Sequence, residues 1–481
     1  MAKQPVTRMQ IDAYRFGQRR LESALARRDP VLLHEVIRGQ RRAVAGGLIL
    51  ATLIGLGLVA YVKLAGKTDW RNEQIINASP SGQMFVVIHQ PDRLVPVPNL
   101  AAARLVYRAA SNPKGGLSPL TGGAGGVPDA TPMTDAQLVG AERTPNSALI
   151  GAPGAPLPSA GEGPVHPPGA WALCDTGGGN TQLIAGVDRT RPLGPQDGML
   201  VSSAGVSYLV TGGRRYAIAA NAATAALQAY DLRDFHPKPV SAGLLAQIPE
   251  GPQLGVPTWG VGNPASRHVV RVDRPNQAPR IYLVVGSQAA QVGVPVADLL
   301  RVSLNEDLSQ PMETMSVDEI NALAQLDLAP ELASYPTYRP VIQDGPDTNV
   351  VCWQWDRNGK NAALSVAAAA PVPAGQPTTP LAQQDGPGPK LDAVSLPGGN
   401  GLPAFAVVPG GAGAGGYWLV SSTGVAYGIQ DSETAQALGV QSPAPVPVGA
   451  LQALPQGPRL DLADANQTVD VLRTNPATGG G

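Results

Sequence analysis

Ala43 to Val62 reads AVAGGLILATLIGLGLVAYV, twenty residues without a charged side chain, bounded by Arg41 and Arg42 before it and Lys63 after it. At 1.5 Å of rise per helical residue such a run covers about 30 Å, the thickness of a bilayer's hydrocarbon core. The run predicts a transmembrane helix over 43–62. A cleavable signal peptide has a short basic leader and a shorter apolar core, whereas here 42 residues precede a full-length span. The expectation is therefore a retained anchor.

The charge divides at the anchor. Residues 1–42 hold ten Lys and Arg against Asp12, Glu22, Asp29 and Glu35, a balance of +6, and the remainder carries −7. By the positive-inside rule the basic segment stays in the cytoplasm, and the 419 residues from Lys63 to Gly481 cross to the periplasmic side. The chain as a whole carries −1. That balance argues against nucleic acid as a partner, because duplex binding draws affinity from an excess of Lys and Arg over phosphates. With 57 Gly and 48 Pro the chain is no long helical bundle, and at 43 % hydrophobic it is not wholly disordered.

Before the anchor, Thr7 and Gln10 form a capping box, and Ile11, Tyr14, Leu21 and Leu25 follow at roughly helical spacing. Asp29-Pro30 offers a second cap ahead of Leu32, Leu33, Val36 and Ile37. The pattern predicts two short amphipathic helices. Forty-two residues are too few for a good core of their own, so these stripes are expected to dock on a partner or on lipid headgroups. Within the anchor, Gly47, Ala51 and Gly55 lie four residues apart, a small-residue row that lets another membrane helix approach closely.

Beyond the anchor the pattern changes to short β-branched runs between Gly and Pro. Met84–Ile88, Met199–Val201, Ile281–Val285 and Tyr417–Val420 read as strands, with alanine-rich helical patches at Leu100–Ala110 and Ser432–Leu438. Two internal matches recur in the same order. LVSSAGVSY at 200–208 resembles LVSSTGVAY at 419–427, and PVSAGLLAQIPEGPQL at 239–254 aligns with PVPVGALQALPQGPRL at 445–460 with eight identities in sixteen. Tyr216-Ala217-Ile218 likewise resembles Tyr427-Gly428-Ile429. Strands near Phe85 and Tyr282 could head two further copies, giving four. Residues 111–170 and 367–404 are rich in Gly, Pro, Ala and Thr and read as linkers. The expected fold is α+β: a cytoplasmic helical segment over 1–42, the anchor over 43–62, a first repeat and linker over 63–170, a central β-rich domain with the second and third repeats over 171–404, a last repeat over 405–470 and a flexible tail over 471–481.

Little here carries chemistry. Cys174 and Cys352 both follow the anchor, and two thiols on the oxidising side of a membrane are more often a disulfide than a metal pair. Closing that loop of 178 residues would restrict the unfolded chain by roughly 5 kcal/mol in the loop-entropy model. The five histidines are scattered, and no metal site is expected. Ala65-Gly66-Lys67-Thr68 ends like a phosphate loop, but the first glycine of that motif falls on Tyr61. Gly411 to Gly416 matches G-x-G-x-x-G in letters, yet a strand pattern rather than a helix follows it. No catalytic residue and no cofactor is predicted from the residues.

TRMQIDAYRFGQRRLESALARRDP at 7–30, PVPNLAAARLVY at 96–107, LIGAPGAP at 149–156, WALCDT at 171–176, VCWQW at 351–355 and GVAYGIQDSETAQALGV at 424–440 stand in this order. Together they resemble the EccB family, the single-pass subunits of mycobacterial type VII (ESX) secretion systems. The resemblance implies a core subunit of the inner-membrane channel that assembles with EccC, EccD and EccE, associates with itself, and projects four repeats around a central domain. Family members are also described as ATPases, so ATP enters only through that description. Peptidoglycan binding by the repeats is a further reading compatible with the first.

Overall fold

The computed structural model describes residues 7–28, 33–64, 69–111, 127–147, 149, 151–154, 169–177, 179–257, 266–356, 359, 361–397, 405–409, 416–440 and 443–465. They fall into two compact units divided between Asp69 and Trp70.

The amino-terminal unit is helical. Arg8–Arg27 is a 20-residue helix, and the Thr7 N–H donates to the Gln10 side-chain oxygen at 3.1 Å, the glutamine half of the capping box. Arg28, at φ 56°, ends it, its N–H donating to the Ala24 carbonyl at 3.0 Å. The expected cap at Asp29-Pro30, with Leu32, lies outside the described residues. The separate second amphipathic helix is not found: Leu33–Leu64 is one helix of 32 residues. No proline interrupts Leu33 to Leu64, and a glycine costs a helix only about 1 kcal/mol, so the stripe runs straight into the anchor. The boundary expected between 42 and 43 thus falls inside a helix. Gln40–Ala60 within it is long and apolar enough to cross a membrane, and none of it is buried.

Among the described residues the second unit contains five sheets, four of which share one plan. In the first, Ile75–Ser79, Met84–Ile88 and Arg93–Val97 form an antiparallel meander; the helix Leu100–Ser111 then crosses over, and Ala130–Thr134 returns parallel to the first strand. The second sheet repeats this with Asp197–Ser203, Val206–Thr211, Arg214–Ala217, helix Ala223–Ala229 and Lys238–Pro239. In the third the elements are Arg267–Arg274, Gln277–Val285, Gln288–Val292, helix Val294–Ser303 and Glu313–Thr314. The fourth uses Phe405–Pro409, Trp418–Val420, Ala426–Gly428, helix Ser432–Ala437 and Ala444–Val446. Antiparallel neighbours need only a tight turn, whereas the parallel fourth strand needs a crossover, and the alanine-rich patches supply its helix. The turns fit: Ala204-Gly205 and Gly212-Gly213 all have positive φ, as two-residue hairpin turns require.

The fifth sheet has seven strands, in the order Thr379–Pro380, Ala393–Ser395, Thr181–Ala185, Trp171–Asp175, Val350–Trp355, Ala362–Ala367 and Arg191–Pro192. The second and third sheets are inserted between Arg191–Pro192 and Val350–Trp355.

Three readings of the sequence are corrected. The linker 111–170 is not loop throughout, because it supplies Ala130–Thr134, whose Met133 is buried with Trp70 and Leu138. The linker 367–404 likewise supplies Thr379–Pro380 and Ala393–Ser395. Its turn is held by Asp392, whose carboxylate accepts from the N–H groups of Thr181 at 2.7 Å and of Asp385 and Gly386, each at 2.8 Å. The nonapeptides LVSSAGVSY and LVSSTGVAY are not in equivalent places: the first spans strands one and two of its sheet, the second spans strands two and three. Both are generic hairpins, and their likeness is that of a turn. The longer match does coincide, with Leu254 bridging to Ile218 and Leu460 to Ile429. The tail 471–481 lies outside the described residues.

Every sheet has an outermost strand that carries proline or is only two residues long. Pro132, Pro239 and Pro445 occupy edges of the first, second and fourth sheets, and Pro380 and Pro192 the two edges of the central one. The third ends in Glu313–Thr314 and Ala324–Gln325.

Candidate functional site

Trp171–Asp175 and Val350–Trp355 lie antiparallel at the middle of the central sheet, with Cys174 directly opposite Cys352. Alternation along a strand sends successive side chains to opposite faces. Trp171, Leu173, Val351, Trp353 and Trp355 accordingly enter the main core, where they meet Met199 and Val201 of the second sheet and Val420 and Val446 of the fourth. The cysteines point the other way, into a small apolar cluster with Ala172, Ile184 and Val350. There they form a disulfide, both wholly buried. The expected bond is present, and the loop it closes contains the second and third sheets.

The four outer sheets are joined in pairs. The first meets the fourth through the helix Leu100–Ser111, whose Ala102, Leu105 and Ala109 pack in one core with Leu419, Ala435 and Leu438. Arg104 is buried in this joint. Its guanidinium donates to the Pro128 carbonyl at 3.1 Å, to the Leu438 carbonyl at 3.2 Å and to Asp129 at 2.7 Å. Burial lowers its pKa, and Asp129 opposes that shift. Arg108 pairs with Glu433 at 3.3 Å.

The second sheet meets the third by other means. The wholly buried Tyr230 donates its hydroxyl to the Pro336 carbonyl at 3.1 Å, and Tyr335 donates to the Gln253 carbonyl at 2.6 Å. Arg339 donates to the Ala229 carbonyl at 2.9 Å and to Asp298 at 2.7 Å. Burial raises the Asp298 carboxyl despite Arg339, and pushes the Tyr230 hydroxyl up. Where the second sheet joins the central one, Asp175 accepts from the Ser241 N–H at 2.7 Å and the Gly177 N–H at 3.1 Å. Burial raises Asp175 in spite of these donors. Nearby, the Lys238 ammonium donates to the Thr348 carbonyl, and burial lowers its pKa.

These groups hold elements together rather than presenting reactive atoms. Among the described residues no group of three or more His, Cys, Asp or Glu could hold a metal ion. Lys67 with its lookalike loop, and Gly411 to Gly415, lie outside the described residues. Gly47, Ala51 and Gly55 are all exposed on their helix, and a Cβ on Gly47 or Gly55 would meet nothing within 4 Å. Sequence reasoning missed Arg104, Asp175, Tyr230 and Arg339. One signal was available: Arg104 is a charge in the middle of the apolar run LAAARLV.

Among the described residues the architecture combines one helix long and apolar enough to span a membrane with a large sheet-rich part. The model of the family Type VII secretion system ESX-1, transport TM domain B, matches residues 3–474, and the chain belongs to this family. It is 29 % identical to the ESX-3 secretion system ATPase EccB3 of Mycolicibacterium smegmatis (strain ATCC 700084 / mc(2)155), over 98 % of this chain and 92 % of the relative. It is 28 % identical to the ESX-1 secretion system ATPase EccB1 of Mycolicibacterium smegmatis (strain MKD8), over 98 % and 96 %. Among solved structures, a chain of an intact ESX-5 inner membrane complex matches at a TM-score of 0.65 and 25 % identity, covering 100 % of this chain and 99 % of that one. A chain of an EccB3 dimer from the ESX-3 core complex shares the fold at a TM-score of 0.59, with 23 % identity over 82 % and 99 %.

Proposed function

We propose that this protein is a structural core subunit of a type VII secretion inner-membrane complex. The observation that carries the proposal is the end-to-end likeness to a chain of an intact ESX-5 inner membrane complex. In this reading the basic segment before the anchor is cytoplasmic, and the part from Lys63 onward is a periplasmic scaffold of four repeats around the disulfide-bonded central sheet. Its partners are the EccC, EccD and EccE subunits and further copies of itself. The common plan of the four outer sheets and the charge of +6 before the anchor support this. The small-residue row at Gly47, Ala51 and Gly55 supplies a packing face for a neighbouring membrane helix. No cofactor or metal is required.

The relatives are named as ATPases, and the alternative reading for this chain is hydrolysis of ATP in its outer part. This chain departs from a phosphate loop at Tyr61, so Lys67 is read as a basic flank to the anchor.

The test is co-purification with the other subunits together with export of substrate. Replacing Gly47, Ala51 and Gly55 with Leu should lower recovery of the complex while membrane insertion persists, and Lys67→Ala should export normally. Intact assembly in the first variant with lost export in the second would replace the scaffold by the ATPase. Protease added outside wall-stripped cells should digest the part beyond Lys63 and spare a tag at Met1; the reverse pattern overturns the orientation.

A further inference from the structure

Between the second and third sheets lies a cleft of about 590 Å³, a volume in the range of small-ligand and peptide pockets. It opens at the joint where Tyr335 bonds across to Gln253. The floor is apolar. Leu283 and Leu332 are buried there, and Leu326 and Leu328, half-buried, pack beside them. Asn221 and Gln253 bring exposed amides to the opposite wall, where a side-chain carboxamide can donate to and accept from a peptide backbone.

The charges at this cleft have one sign. Asp327 and Glu331 are exposed at its mouth, five residues of chain carry both of them, and among the described residues no Lys, Arg or His lines it. Two carboxylates over an apolar floor attract a cation attached to an apolar group and repel an acidic counterpart, which is discrimination by charge as well as by shape.

We propose that this cleft binds a short extended peptide segment in which a basic side chain neighbours an apolar one. The apolar side chain lies against Leu283 and Leu332, the basic one faces Asp327 and Glu331, and the backbone runs past Asn221 and Gln253. The proposal deepens the scaffold reading and rests on it for the source of the segment, another chain of the same complex. Because its two walls belong to different sheets, a seated segment would also brace their joint.

The experiment uses the full-length protein in detergent and two fluorescein-labelled hexapeptides, ALKVRA and ALEVEA, followed by fluorescence anisotropy. The wild-type protein should bind the basic peptide about tenfold or more tightly than the acidic one, with the difference shrinking as salt is raised. Asp327→Lys with Glu331→Lys changes two exposed side chains and should reverse the preference. Equal binding of the two peptides, no binding of either, or a preference that survives the reversal would overturn the proposal. Peptide binding is read on the isolated chain and the scaffold by co-purification of the Gly47, Ala51 and Gly55 variant, so each fails separately from the other.

Discussion

The joint between the first and fourth sheets and the joint between the second and third use the same type of element, a crossover helix, and hold it in different ways. The first relies on a buried arginine that satisfies two backbone carbonyls and a carboxylate at once. The second relies on tyrosine hydroxyls and on an arginine whose aspartate partner is itself raised by burial. A guanidinium stays charged at any ordinary pH, whereas a desolvated carboxylate does not. One plan of strands thus gives two joints held by different chemistry, and the second contains a carboxyl raised by burial. The covalent arrangement differs too. The second and third sheets are enclosed within the disulfide loop, and the first and fourth lie outside it.

The largest expected effect tests that enclosure. Cys174→Ala with Cys352→Ala removes a loop closure of 178 residues, worth roughly 5 kcal/mol in the entropy model. Hydrogen exchange should rise in the central, second and third sheets more than in the first and fourth; a uniform rise would break the distinction. Arg104→Met comes next. It leaves the Pro128 and Leu438 carbonyls unpaired, and at about 1–3 kcal/mol for each orphaned group the loss should be about 3 kcal/mol in denaturant unfolding. A loss below about 1 kcal/mol would mean that apolar packing alone holds that joint. Tyr230→Phe should cost about 1 kcal/mol and speed exchange only around Pro336 and the helix Ala223–Ala229.

The smallest effect concerns pH. Asp175 and Asp298 both have folded pKa values raised by burial. The native state therefore holds their protons at a pH where the unfolded chain, titrating near about 3.9, has released them. Their contribution to stability is greatest below that value and falls as pH rises through the raised one. Thermal unfolding followed from neutral pH toward pH 4 should show this gain. Asp175→Asn and Asp298→Asn should each flatten it, and an unchanged slope in both would remove the acid response from the second and third sheets.

Much of the fold was legible. Met84–Ile88 is a strand with the very bounds its β-branched run gave, and the alanine-rich patches became crossover helices because alanine lets a helix lie close on a sheet. Two thiols beyond an anchor were enough to foresee the bond between Cys174 and Cys352. Strands hidden in Gly/Pro-rich sequence were not legible, because Thr379–Pro380 and Ala393–Ser395 owe their place to Asp392 and to neighbours some 200 residues earlier in the chain. Local periodicity carries no trace of such partners. The same holds for Tyr230 and Arg339, whose roles appear only once Pro336 and Ala229 are brought beside them.

The prolines at the sheet edges bear on crowding. A proline has no N–H to offer an approaching strand, and a two-residue strand gives almost no length to zip against. At those edges a neighbouring copy meets few backbone donors with which to extend the sheet. Recognition between copies at those edges therefore falls to side chains, and a nascent or damaged copy finds little backbone template there. Replacing Pro132 or Pro445 with Val would restore a backbone donor at the rim of a sheet, so the hazard of high local concentration is held off by a residue chosen for the group it lacks.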